Sequence, residues 1–172
     1  YRPNNTTVTL QMQKIDVNNE IFHPITQQLW QNSILPEFVG IITGDGRLIS
    51  INQNNYFVDH EIRHEIKIGE ESTIENLLKL TDDTISITPY GQGELIAGAE
   101  AFAFCGEGEM GNEGFVAVTN KHGLLWAAFF ANSNPFYQVN IVENCVTAVN
   151  SYEATWHFPI DSPWNINITY AR

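Results

Sequence analysis

The sequence predicts an α+β fold in which a largely antiparallel β-sheet, single or divided into two packed sheets, carries one or two helices. Three observations lead to this prediction. Short apolar or alternating runs, separated by turn signals, recur along the 172 residues. Only two segments show helical spacing of apolar residues. The hydrophobic fraction is 43%, with ten Phe, six Tyr and four Trp, so we expect one domain over residues 1–172 with a substantial core.

The first elements are a strand and a helix. Residues 7–15 alternate between two mixed faces, which is typical of an edge strand. Residues 23–34 have Pro24 in their first turn, apolar side chains at helical spacing, and a stop before Pro36, so they predict a helix. A second, short helix is predicted over residues 73–80, where a Ser-Thr pair supplies the N-cap.

The remaining elements are predicted strands, most of them paired in hairpins. The clearest hairpin joins residues 38–43 to residues 47–51 through Gly44-Asp45-Gly46, since Asp-Gly accepts positive φ. Residues 114–119 and 124–131 are almost wholly apolar, so this hairpin is expected at the centre of the sheet with both faces covered. Further strands are predicted over residues 84–89, 94–104, 137–142, 145–150, 155–160 and 165–170.

The charge balance argues against two classes of ligand. Twenty acidic residues face eight basic ones, which gives a formal net charge of −12. Nucleic acids and anionic membranes are bound through Lys and Arg, so both are disfavoured. No apolar run is long enough to span a membrane and no signal-peptide pattern is visible, so we expect a cytoplasmic location. The charge serves either solubility alone or the attraction of a basic protein.

The acidic residues concentrate where cations are missing. No Lys or Arg occurs between Asp82 and Asn120, and residues 106–114 are interpreted as a flexible acidic loop whose charge opposes phosphate binding. A surface of this kind would attract a basic partner and make association sensitive to salt. The competing interpretation is that the carboxylates are merely solvated at loop tips. The predicted partner-binding residues are Glu94, Glu100, Glu107, Glu109 and Glu113.

The segment His60-Glu61-Ile62-Arg63-His64 matches H-E-x-x-H, a zinc-protease pattern that requires a helix so that both imidazoles reach one metal. The local pattern favours a strand instead, because His and Ile alternate with charged residues as far as Ile68. On a strand, Glu61 points away from both histidines. We therefore predict a strand without a metal, and a zinc-dependent hydrolase that uses His60, Glu61 and His64 is the alternative function.

The cysteines and aromatics complete the candidate chemistry. Cys105 and Cys145 lie in apolar runs, which favours two reduced structural thiols over one disulfide, and no local pattern supports a catalytic Cys105–His pair. Residues 126–137 are rich in aromatics, of which Trp126 and Phe129 are predicted as core. Exposed aromatics would instead suit a ligand- or carbohydrate-binding β domain. We expect no catalytic residues and no cofactor.

The C-terminal third carries a family resemblance. The segments Gly114-Phe115-Val116-Ala117-Val118, Leu125-Trp126, residues 129–136 and residues 156–160 resemble small bacterial immunity proteins found beside polymorphic or contact-dependent growth inhibition toxins. Such proteins neutralise a toxin, often a basic nuclease, by occluding its active site or another essential surface. The resemblance implies a non-enzymatic inhibitor that binds one cognate toxin, with no catalytic residues to carry over. The net charge of −12 would then steer association with a basic toxin.

Overall fold

The computed structural model describes residues 12–90, 93–96, 98 and 100–171, and within them it contains two helices and fourteen strands. The helices are α1 (Pro24–Gln31) and α2 (Ile74–Leu78). The strands are β1 (Ile34–Pro36), β2 (Gly40–Thr43), β3 (Arg47–Val58), β4 (Glu61–Thr73), β5 (Thr84–Ser86), β6 (Thr88–Pro89), β7 (Glu94–Ile96), β8 (Ala101–Glu107), β9 (Gly114–Asn120), β10 (Gly123–Phe130), β11 (Phe136–Val142), β12 (Cys145–Asn150), β13 (Ala154–Pro159) and β14 (Asn167–Tyr170). The predicted α+β class with largely antiparallel sheets is confirmed.

The strands form a large sheet, a smaller sheet and a ribbon. The large sheet has the order β4-β3-β2-β10-β9-β8-β6, and β7 also pairs with β8. The second sheet is a meander in sequence order, β11-β12-β13-β14. The ribbon consists of β1 and β5. All of these pairs are antiparallel, because short turns connect most neighbouring strands.

The central hairpin β9–β10 is buried on both faces, as predicted. Val116 and Val118 enter a core shared with the second sheet, whereas Phe115 and Ala117 enter another core on the opposite face. That other core is closed by α1, through Trp30, and by the β1–β5 ribbon. Because neighbouring side chains point to opposite faces and both faces are covered, this hairpin requires apolar residues at consecutive positions.

The aromatics of the central hairpin are core residues. Trp126 and Phe129 are fully buried, on opposite faces of β10, and both predictions are confirmed. The indole Nε1 of Trp126 donates a hydrogen bond of 2.9 Å to the carbonyl of Ile160, so its one polar atom is satisfied inside the core. Tyr137, at the end of the same aromatic segment, is 48% exposed.

The two helices are shorter than predicted, and both caps explain their starts. His23 is the N-cap of α1, and its ring accepts a hydrogen bond from the N–H of Ile25. The helix ends at Gln31 because Ser33 adopts a positive φ and the chain then enters β1. At α2, the hydroxyl of Thr73 accepts from the third N–H of the helix, as a capping threonine does. Neither helix in the described ranges has the length and apolar character needed to cross a membrane.

Four predicted strands differ most from the observed ones, and the first is residues 47–51, which β3 extends to Val58. Of residues 7–15, the first five lie outside the described residues, and residues 12–15 are not a strand. The segments 84–89 and 94–104 are each divided into two strands. The first division lies at Ile87, whose N–H still bonds to the carbonyl of Ser33 beside β1, before β6 pairs with β8 in the large sheet.

The burial of Trp126 leads to a stability prediction. Replacing Trp126 with Ala removes a fully buried indole and leaves the Ile160 carbonyl without its partner, so the free energy of unfolding should fall by about 3–5 kcal/mol. Tyr137→Ala, at an exposed position of the same segment, is the matched control and should cost less than about 1 kcal/mol. Urea denaturation measures both. Equal losses in the two variants would contradict the core assignment.

Candidate partner-binding surface

The predicted glutamates divide between the two ends of β8. Glu100 precedes this strand and forms an ion pair of 3.2 Å with Lys121. The seven residues of β8 span about 23 Å at about 3.3 Å per residue, so Glu100 is remote from the glutamates at the far end. The side chain of Glu94 lies outside the described residues. The structure therefore brings together three of the five predicted residues, namely Glu107, Glu109 and Glu113.

These three glutamates have local partners in the protein. A carboxylate oxygen of Glu109 accepts a hydrogen bond of 2.8 Å from the N–H of Ser86, and Glu113 accepts one of 2.8 Å from the backbone N–H three residues earlier. Burial, followed by the neighbouring Glu107 carboxylate, raises the pKa of Tyr90 to about 12. Two of the three carboxylates thus position the β8–β9 loop, and the Glu109 bond attaches it to β5.

Folding adds three carboxylates that the sequence analysis did not include. Glu37 follows β1 and Asp83 precedes β5, and the N–H of Glu37 donates to the carbonyl of Asp83 at 3.0 Å. Asp82 is the exposed neighbour of Asp83. Ser86 of β5 also bonds to Glu109, so the β8–β9 loop lies beside the β1–β5 ribbon. The carboxylates of the loop and of the ribbon therefore share one end of the large sheet. We call this surface the acidic end, and it comprises Glu37, Asp82, Asp83, Glu107, Glu109 and Glu113.

A long hairpin, formed by β3 and β4, projects from the same end of the sheet. These strands have 12 and 13 residues, but β2 pairs with β3 only as far as Ser50. Beyond it, residues 52–58 have only β4 as a sheet neighbour and extend about 23 Å. We call residues 52–67 the arm. The arm and the acidic end share one end of the sheet. Ser50, where the arm leaves the sheet, lies in one row with Gly40 and Phe129. The next row across the sheet contains Phe130, Gly114 and Glu107.

The zinc-protease pattern lies at the turn of this arm and does not form a helix. Asp59 and His60 both have positive φ and make a two-residue turn, and the strand begins at Glu61. The strand prediction is therefore confirmed from Glu61 onward, whereas His60 is in the turn. Glu61 forms an ion pair of 3.0 Å with Arg63. Within the described ranges, no group of three or more His, Cys, Asp or Glu side chains is arranged to hold a metal ion.

His64 lies where the arm meets the second sheet and is only 7% exposed. Its Nδ1 is 2.7 Å from the Oδ1 of Asn55, and its Nε2 is 3.3 Å from the Nδ2 of Asn150. These partners fit a neutral ring that donates from Nδ1 and accepts at Nε2. Burial lowers the pKa of His64 to about 4, so the ring is neutral at physiological pH. Both ring nitrogens are occupied by amides, which leaves neither for a metal.

Asn150 fixes the other side of this junction. It is fully buried, and its Nδ2 donates to His64 and, at 2.8 Å, to the carbonyl of Ser133. Its Oδ1 accepts from the N–H groups of Tyr152 and Ala154, at 3.2 and 3.0 Å. All four hydrogen-bonding capacities of the amide are used. One side chain therefore connects the arm, the loop before β11 and the turn after β12.

Further contacts secure the base of the arm. Gln53 and Asn55 both donate to the carbonyl of Asn132, at 3.1 and 2.9 Å. On the outer side of β4, the N–H of His64 donates to the hydroxyl of Tyr170 at 2.8 Å. The Arg63 guanidinium lies 4.2 Å from the Tyr170 ring centroid and donates to the adjacent carbonyl of residue 62. These side chains occupy edge groups that another strand would need for pairing.

The cysteines show the character of structural thiols. Both are free, with Cys105 buried and Cys145 half-buried. Burial raises the pKa of Cys105 to about 12 and also raises the pKa of Cys145. Since the thiolate is the nucleophilic form, Cys105 remains protonated at neutral pH. This agrees with the predicted reduced, structural thiols and gives no support to a Cys105–His pair.

The buried neutral His64 predicts a specific dependence of stability on pH. The pKa of a histidine is about 6.5 when unfolded and about 4 here, so below pH 6.5 the unfolded chain takes up a proton that the folded chain does not. Stability from this group is complete above about pH 6.5 and should fall by about 3 kcal/mol as the pH drops toward 4.

Denaturant midpoints between about pH 7 and pH 4.5 test this for the wild type and for His64→Gln, which cannot titrate. The stability of the wild type should fall more steeply with acid than that of the variant, although carboxylates contribute to both curves. Parallel curves for the two proteins would contradict the assignment of His64 as a buried neutral base.

The features of this end are a rigid arm, held by buried amides, and a neighbouring group of carboxylates. Sequence reasoning located the carboxylates of the β8–β9 loop and missed the arm. The turn of the arm was missed because Asp59-His60 lacks the glycine that usually marks a tight turn. The arrangement offers surfaces for binding and no assembled catalytic group among the described residues. No protein-family model, no curated protein and no solved structure matches the chain.

Proposed function

We propose that this protein is a non-enzymatic inhibitor that binds and neutralises one cognate, basic bacterial toxin of the nuclease type. The observation that carries the proposal is the acidic end, where carboxylates from three separate segments gather. Among the described residues, no Lys or Arg forms an ion pair with any of them. The proposal includes a bacterial cytoplasmic location, where such a toxin meets nucleic acid.

The positions of the Lys and Arg side chains show a difference in charge pairing between the two ends of the sheet. Arg47, the first residue of β3, and Lys121, in the β9–β10 turn, lie opposite the acidic end and have carboxylate partners there, and Lys14 is close to Arg47 through Gln13. On the arm, β4 alternates acidic and basic residues that pair with each other. Carboxylates at the far end and along the arm therefore have Lys or Arg partners, whereas those of the acidic end have none among the described residues, and Lys79, three residues before Asp82, forms no ion pair. Such a distribution orients an approaching cationic surface.

This charge pattern suits inhibition by occlusion. A nuclease presents Lys and Arg where it binds phosphates, and a protein that covers this face must be anionic there. Electrostatic steering accelerates the encounter, which matters for an inhibitor that must bind before the toxin acts. No bond in the toxin needs to be broken, so the inhibitor needs no catalytic group.

The two alternative functions have less support, although Phe57 and Tyr137 are exposed aromatics. The zinc hydrolase requires His60 and His64 on one helical face, and they lie in a turn and on a strand. The aromatics of the central hairpin, which a carbohydrate-binding role would use, form the core. Binding through the acidic end is the function that this geometry favours.

A charge-reversal experiment tests the acidic end. Glu37→Lys combined with Asp83→Lys avoids the glutamates that hold backbone N–H groups, so folding should be little affected. The probe is the product of the adjoining toxin reading frame, purified in a catalytically inactive form. We expect the association rate to fall at least about 10-fold at low salt, with little change in dissociation. The difference should shrink at high salt because of screening.

The matched control carries the same change of net charge elsewhere. Glu20→Lys combined with Glu143→Lys alters exposed residues outside the acidic end. The control should slow association much less, as measured by stopped-flow or biolayer kinetics. Equal rates for wild type and the acidic-end variant, or equal slowing by both variants, would argue against this surface. In cells, co-expression of the wild-type chain should restore growth to a host that produces the active toxin.

A further inference from the structure

The acidic end does not account for the apolar surface at the end of the arm. Tyr56, Phe57 and Val58 are exposed there, and 74% of Phe57 is accessible. Across the hairpin these residues pair with Arg63, Ile62 and Glu61. Exposing a large aromatic side chain to water is unfavourable unless a partner covers it. Such residues dominate the binding energy of protein interfaces.

The arm holds this tip in a fixed direction. The last pair held by hydrogen bonds to the rest of the protein is Asn55 and His64, which is tied to the second sheet and to the Asn132 carbonyl. Only three residue pairs and the turn extend beyond that point. Among these residues, Arg63 contacts the second sheet through the ring of Tyr170. A partner therefore meets a tip that is already ordered, and little conformational entropy has to be lost on binding.

Side chains block the β4 edge of the tip. The outward N–H of His64 and the carbonyl of Ile62 already bond to Tyr170 and Arg63. Pairing of β4 with another strand, including the same strand of a second copy, would have to break both bonds. On the β4 side, recognition at this tip therefore proceeds through the exposed side chains of Phe57 and its neighbours.

Three carboxylates and one arginine surround the apolar strip, and the arginine, Arg63, is paired with Glu61. Asp59 is exposed in the turn, Glu61 follows it, and Glu153 lies beside a cavity of about 230 Å³ at the flank of the arm. Tyr152 and Tyr170 also line this cavity. An apolar centre with a negative border is complementary to a cleft that has an apolar floor and Lys or Arg side chains at its rim.

We propose that the arm tip, residues 56–61, is the apolar anchor that enters such a cleft in the basic partner. The inference rests on the proposed function and deepens it, because it assigns two separate roles at one end of the sheet. The acidic end governs how quickly the partner arrives, and the inserted Phe57 governs how long it stays. The tip and the acidic end face the same partner because both project from the same end.

The test is a Phe57→Ala variant, measured against the same purified, inactive toxin. We expect Kd to increase at least about 30-fold, which corresponds to loss of a hot-spot contact of about 2 kcal/mol. The change should lie mainly in the dissociation rate and should be similar at low and high salt, unlike the effect of charge reversal. Phe57→Leu, which keeps an apolar side chain, should retain more affinity than Phe57→Ala.

Phe102→Ala is the matched control, since Phe102 is also exposed but lies at the start of β8, away from the arm. It should bind as the wild type does. A Kd for Phe57→Ala equal to that of Phe102→Ala, with the wild type binding normally, would overturn the inference and leave the proposed function intact. No binding by the wild type would overturn the proposed function and the inference with it.

Sedimentation of the chain alone tests whether a second copy of the chain, and not a toxin, covers the arm tip. We expect a monomer for both the wild type and Phe57→Ala. A dimer that Phe57→Ala dissociates would overturn the inference, because the tip would then be an interface between copies. Thermal midpoints of Phe57→Ala and Phe102→Ala should both stay close to that of the wild type, since each removes an exposed ring.

Discussion

The burial of both faces of the central hairpin is the constraint on which the rest of the fold depends. A strand whose neighbouring side chains all lie in a core needs a cover on each side, and here the second sheet forms one cover while α1 and the β1–β5 ribbon form the other. Connections between these layers must therefore run across the ends of the large sheet. One of those ends collects the loops that carry Glu37, Asp83 and Glu109, so the acidic end follows from the layering.

A buried polar junction adds the second feature of the surface. Asn150 and His64 lie between two apolar layers, where an unsatisfied polar group would cost about 1–3 kcal/mol. Because nearly every capacity of these two side chains is matched, the junction is stable only in one arrangement of the arm relative to the second sheet. The polar contacts thus give direction to a hairpin that touches the hydrophobic core near its base, through Ile66.

Much of the fold could be predicted from periodicity, and the failures have physical causes. The apolar runs of β9 and β10 indicate double burial, and the alternation after Glu61 indicates a strand, because these patterns reflect strand geometry directly. The length of β3 could not be predicted, since residues 52–55 are polar amides whose partners lie far away in sequence. The helix prediction ran past Gln31 because the left-handed residue at position 33 is a serine.

The candidate site was predictable only in part for a related reason. Charge density along the chain locates Glu107, Glu109 and Glu113, but an extended strand moves Glu100 to the opposite end of the sheet. Conversely, Glu37 joins Asp83 only through the pairing of β1 with β5, which local sequence does not reveal. Proximity along a β-chain is a poor guide to proximity in space, and tertiary pairing decides which carboxylates share a surface.

Hydrogen–deuterium exchange of the chain, free and saturated with the inactive toxin, tests the central claim most directly. The account predicts slower exchange on binding at two separated stretches, the arm tip at residues 56–61 and the acidic loops around residues 82–84 and 107–113. The outer strands β13 and β14 should exchange as in the free protein. Protection confined to the second sheet, or to the end that carries Glu100 and Lys121, would place the interface elsewhere and contradict the account.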